Sequence, residues 1–236
     1  MRYCYSNSEE DKMSEFSRLA SAIVSLPLGA QLQAASTFVT ILAGVYTYRF
    51  INKETKVLLA YQVISLGSSI LMIYLGWVLQ QSNLWLIHLY TPIQFGLLMW
   101  ILSSWQENVN AKRLFQLLIP AFVLVWAVAA IFVEHKNEFN TFSRPTESIL
   151  LIIASGYTLY QVNKEKVESL FSQPSFWVGS GTLVYFTGMV ILFTLTNVLL
   201  SSSESGLRTA WTVQWIMSVI ANFLYIGAFL CQRSRA

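Results

Sequence analysis

Apolar residues run through this chain in long blocks, broken by short polar and charged clusters. Seven blocks are long enough to cross a bilayer as helices: about 31–50, 57–79, 84–105, 114–133, 146–162, 176–200 and 209–231. A crossing helix needs roughly 20 mainly apolar residues, and the fifth block is the shortest of the set. The connections are short and leave no room for a second folded domain. With so little backbone outside the blocks, the spans must be helices, because a barrel would need alternating strands. Residues 1–20 carry charges of both signs and read as a solvated tail. Residues 19–28 are mildly apolar but interrupted by Pro27, which suggests a surface-lying segment. The expected layout is a tail and surface segment over 1–30, a seven-helix membrane domain over 31–231, and a cytoplasmic tail over 232–236.

Composition strengthens this reading. The chain is 55% hydrophobic and only 11% charged, whereas soluble domains carry roughly 25% charged residues. The pattern predicts an integral membrane protein. A net charge of +3 with scattered basic residues gives no footprint for nucleic acid. Basic residues do set the orientation. The first, third and fifth connections and the C-terminus hold Arg49, Lys53, Lys56, Lys112, Arg113, Lys164, Lys166, Arg233 and Arg235. The opposite side holds Arg18, Lys136, Arg144 and Arg208. Nine against four puts the N-terminus outside and the C-terminus in the cytoplasm. Cys4 and Cys231 then face opposite sides, so no disulfide is expected between them.

The blocks also echo one another. Tyr157-Thr-Leu-Tyr-Gln-Val-Asn-Lys-Glu165 repeats Tyr46-Thr-Tyr-Arg-Phe-Ile-Asn-Lys-Glu54, and the run from Gly179 to Gly188 repeats that from Gly67 to Gly76 at almost the same offset. A fainter echo pairs Trp85-Leu-Ile-His88 with Trp211-Thr-Val-Gln214. Three echoes in the same order point to duplication. The halves would be about 31–105 and 146–231, in parallel orientation, with the helix at about 114–133 as linker. This is a 3+1+3 internal repeat.

Polar residues inside the spans supply the candidate site, since lipid offers them no partners and they usually face the bundle interior. Gln214, Ser218 and Asn222 recur every fourth residue on the seventh span. His88, Thr91 and Gln94 spread over one face of the third. Glu147 opens the fifth span, and Asn197 lies toward the outer end of the sixth. On the expected topology His88, Glu147, Asn197 and Gln214 converge in the outer half of the bundle. Two readings stand beside each other: a pocket for a small ligand, or interhelical hydrogen bonds that hold the helices together. If His88 also meets Glu147, the outer half would respond to acid.

Several chemistries lack their residues. The one aspartate, Asp11, is in the tail, which excludes a paired-aspartate intramembrane protease. Two histidines and two distant cysteines do not make a three-ligand zinc site. The seventh span has no lysine for a retinal Schiff base. The chain is therefore expected to be neither an enzyme nor a cofactor carrier.

One resemblance covers most of the chain. Tyr48-Arg-Phe, the run from Asn83 to Thr91, Glu147-Ser-Ile-Leu-Leu-Ile-Ile and the run from Phe176 to Gly188 resemble seven-span membrane proteins of the Bacteroidota. Those proteins have no established activity and occur alone or beside two-component signalling genes. Where they carry an acidic residue after the Tyr-Thr run, this chain has Gln94. The resemblance implies a signalling setting. The three-plus-one-plus-three layout is also similar to that of sugar transporters of the PQ-loop type and of rhodopsins, although Pro174 here follows Gln173 in the reverse order. Two functions follow as expectations. One is a receptor- or sensor-like protein that binds a small molecule in the outer half and signals to a cytoplasmic partner. The other is a small-solute transporter.

Overall fold

Pro27 sets the first corner of the chain. Its missing N–H ends one helix, and its carbonyl accepts from Ala30 N and Gln31 N to start the next. The Gln31 amide reaches back to the carbonyls of Val24 (3.0 Å) and Leu26 (2.8 Å), which lie just before the corner. The segment expected on the surface is thus a true helix, α1 (Glu15–Ser25), followed directly by α2 (Leu28–Tyr46). The computed structural model describes residues 15–134, 142–164, 169–202 and 204–233. The remaining helices are α3 (Lys53–Ile73), α4 (Leu84–Ser104), α5 (Val109–Phe132), α6 (Ser143–Lys164), α7 (Pro174–Ser202) and α8 (Glu204–Arg233). Among the described residues there is no strand.

Each expected apolar block falls on one of α2 to α8. Five helices, Leu28–Tyr46, Lys53–Gly76, Leu84–Ser104, Val109–Phe132 and Trp211–Arg233, are long and apolar enough to cross a membrane. The protein is an all-helical membrane protein.

Side-chain caps fix several ends. Asn52 Oδ1 accepts from Thr55 N at 3.0 Å to open α3, and Asn108 Oδ1 accepts from Asn110 N at 2.9 Å to open α5, each satisfying an amide that the helix itself leaves unpaired. The end of α3 loosens into a π-turn over Tyr74–Val78. Gln80 follows in the left-handed region at φ 54°, a backbone state in which non-glycine residues are uncommon. Asn83 braces the turn by donating to the Met72 carbonyl at 2.9 Å.

Six helices close into a ring in the order α2, α3, α4, α6, α7, α8, with α8 returning to α2. Helix α5 stands outside it, against α4 and α6. Burial agrees, since 56% of the apolar stretch of α4 is buried against 17% of that of α5. The apolar centre is built from Leu58 of α3, Phe95, Leu98 and Leu102 of α4, Val178 and Phe186 of α7, and Phe229 of α8. By helix register most of these belong to the half of the ring holding the C-terminal ends of α4 and α8. Phe122 of α5 reaches this core by packing on Phe95, with ring centroids 4.1 Å apart.

The two echoed segments are built differently. Tyr46 ends α2, and Asn52 lies beyond the helix as the cap of α3, whereas Asn163 still belongs to α6. A Cβ on Gly67 would meet open space, but on Gly179 it would press on Leu159 at 3.2 Å. The shared letters do not mark shared local structure.

Candidate functional site

Four of the six ring helices, α2, α4, α6 and α8, start at the same end, and there the side chains leave a cavity of about 250 Å³. Its walls come from the first turns of α2 (Ala30, Ala34, Thr37), the last turns of α3 (Ser65, Ser69, Met72), and the first half of α8 (Trp211, Gln214, Trp215). Tyr90 of α4, Arg144 of α6 and Tyr185 of α7 complete it. This is the end that the positive-inside expectation from the sequence would place outside. The other half of the ring holds the apolar centre together with buried hydrogen-bonded pairs such as Gln106–Thr158 and Gln232–Thr55.

Arg144 is the one charged side chain among the described residues of the wall. It is 6% exposed and the neighbouring Glu147 is fully buried, with Arg144 Nη1 and Glu147 Oε2 3.2 Å apart. The same Nη1 donates to Gln94 Oε1 at 2.7 Å, and Gln94 Nε2 donates to the Tyr61 hydroxyl at 3.0 Å. The guanidinium carbon also lies 5.6 Å from the Tyr90 ring centroid, within cation–π range. A buried charge is tolerable only when paired and hydrogen-bonded, and this cluster supplies the pairing across α3, α4 and α6, although Glu147 Oε1 accepts no hydrogen bond. Tyr185 interacts with both Gln94 and Gln214. On Gln214, 8% exposed, Oε1 has no hydrogen-bond partner.

The sequence-selected residues divide into three groups. Gln214 lines the cavity, and Gln94 and Glu147 stand behind Arg144 as its partners. Asn222, Ser218 and Thr91 serve packing. Asn222 Nδ2 donates to Ser36 Oγ (2.9 Å) and Thr37 Oγ1 (3.0 Å), and its Oδ1 accepts from Gln62 at 3.1 Å. Ser218 and Thr91 turn their hydroxyls back to the carbonyls of Gln214 and Ile87 in their own helices, a local bond that Ser and Thr commonly make. His88 is the third case. It is not in the cavity wall, and its Nδ1 lies 3.7 Å from Glu134 Oε2, while Glu147 is engaged with Arg144. The acid-responsive His88–Glu147 pairing therefore gives way to two separate pairs. Asn197 lies on α7, with its side chain outside the described part of the structure.

Five contributors escaped the sequence reading as site residues: Tyr61, Tyr90, Tyr185, Glu134 and Arg144, which enters that reading only among the outer-side basic residues. Tyrosines in membrane proteins gather at the interfaces, so three in mid-helix are themselves a signal that buried hydroxyls need partners. Glu134 follows α5 and accepts from Phe142 N and Ser143 N, both at 2.8 Å, and from Ser143 Oγ at 2.7 Å. It is an anion at the N-terminus of α6, where the helix dipole favours one.

The fold and site define a helical membrane protein whose buried ion pair stands beside a small end cavity. No protein-family model, curated protein or solved structure matches the chain.

Proposed function

We propose that the chain is a receptor- or sensor-like protein of a bacterial inner membrane, binding a small molecule in the end cavity rather than transforming it. In this reading α2 to α8 all cross the bilayer, the N-terminus is outside, and the signal passes to a cytoplasmic partner through the inner loops. The observation that carries it is the cavity itself, bounded by Arg144, Gln214, Tyr90 and Tyr185 at the end assigned to the outside. Its volume of about 250 Å³ is below the roughly 300–1,000 Å³ usual for drug-sized ligands, which favours a small one.

The transporter reading draws on the ring. Helices α2 to α4 and α6 to α8 form two triplets with α5 outside, a layout in which repeats can rock around a shared site. Reconstitution separates the two. A metabolite that raises the melting temperature of the purified protein is offered to proteoliposomes: saturable binding without accumulation supports the receptor, and concentrative or exchange uptake overturns it. Ala34→Phe, which fills the cavity, is expected to abolish the thermal shift in either case.

A further inference from the structure

The cavity wall restricts the chemistry of its occupant, and this step rests on the cavity being a binding site. Trp211, Trp215, Met72, Ile87 and Met189 make most of the surface apolar. Among the described residues of the wall the only charge, on Arg144, is already matched by Glu147 at 3.2 Å. An ionic ligand would leave water without an unmatched counter-charge to receive it, and burying an ion without one is costly. The wall also holds a buried acceptor that lacks a donor. Gln214 is 92% buried by its 8% exposure, and its Oε1 accepts no hydrogen bond. That oxygen requires a donor, and a turn about the soft terminal torsion of the glutamine would present it to the cavity.

We infer that the cavity takes a small uncharged amphiphile, with an apolar body against Trp211 and Trp215 and a hydroxyl or N–H group that donates to Gln214. An unpaired buried acceptor rewards a donor and penalises an isostere that lacks one. The ligand is therefore selected by one hydrogen bond set in an apolar shell.

The test uses the full chain in lipid nanodiscs, with empty nanodiscs as the blank for partitioning. Four matched probes are titrated by saturation-transfer NMR: benzyl alcohol, benzyl methyl ether, benzoate and benzylamine. Benzyl alcohol should bind saturably and the ether about tenfold more weakly, as one lost hydrogen bond implies. Neither charged probe should compete. Gln214→Leu should weaken the alcohol to the level of the ether and leave the ether unchanged. Equal binding of alcohol and ether overturns the inference, and so does tighter binding of either ion; in the latter case the cavity still binds, so only the ligand class falls. If none of the four binds the wild-type protein, the inference and the cavity reading fall together. Should Gln214→Leu not fold, the alcohol and ether comparison in the wild type decides alone.

Discussion

Arg144 and Glu147 depend on each other because neither has bulk water to fall back on. Removing one partner strands the other charge, at a cost of about 3–5 kcal/mol, whereas replacing both with apolar residues is often neutral. Arg144→Leu should therefore lower the unfolding midpoint in detergent sharply, and adding Glu147→Leu should recover most of it. If the double variant is as unstable as the single, the pair is not the reason. Glu134 offers a second test. Glu134→Ala removes three hydrogen bonds from the start of α6. Hydrogen bonds to charged groups are worth roughly 1.5–3 kcal/mol each, so a clear loss of thermal stability is expected, with Glu134→Gln milder. His88→Leu should leave ligand binding intact, since His88 is outside the cavity wall. At this scale the sequence was partly legible. A polar side chain on an apolar helix announces that it needs a partner. It does not say whether that partner is a neighbouring helix, as for Asn222, or an open space, as for Gln214. Nor could spacing reveal Glu134, whose partners lie eight and nine residues away across a turn.

Helix α7 lies against α8 through glycines that no side chain can replace without movement. A Cβ on Gly181 would sit 2.7 Å from the Tyr225 ring and 3.3 Å from the Ala221 carbonyl, and one on Gly227 would sit 2.6 Å from the Trp177 indole. The Trp177 indole is also tied by its N–H to the Phe171 carbonyl at 2.8 Å. Overpacking of this kind costs about 1–3 kcal/mol, so Gly181→Ala and Gly227→Ala should each lower the unfolding midpoint. Gly67→Ala, with nothing near its Cβ, should be neutral or slightly stabilising, because alanine is the better helix former. The existence of α2 to α8 was readable because a long apolar block has few other solutions in lipid. Helix α1 was harder, since its charged residues match a solvated tail as well as a helix. The glycine echo does not extend to contacts, since a Cβ on Gly67 meets open space and one on Gly179 meets Leu159, and contact depends on which neighbour each helix meets.

Orientation is a property of the whole molecule, and nine basic residues against four predict it. A fluorescent protein fused after Arg233 should fold and glow in the cytoplasm, while one inserted between α5 and α6 should remain dark. The opposite result would invert the cavity to the inner side and remove the receptor reading. The closed ring has another consequence. It is completed by α8 meeting α2 and α3, through bonds such as Gln62–Asn222 and Asn52–Gln232 that join residues 160 and 180 positions apart. During synthesis the early helices must therefore wait in the bilayer with Ser36, Thr37 and Gln62 lacking their final partner, until the last segment leaves the ribosome. Chains that stop short would keep those polar faces turned toward lipid, a visible mark of incompleteness for membrane proteases to act on.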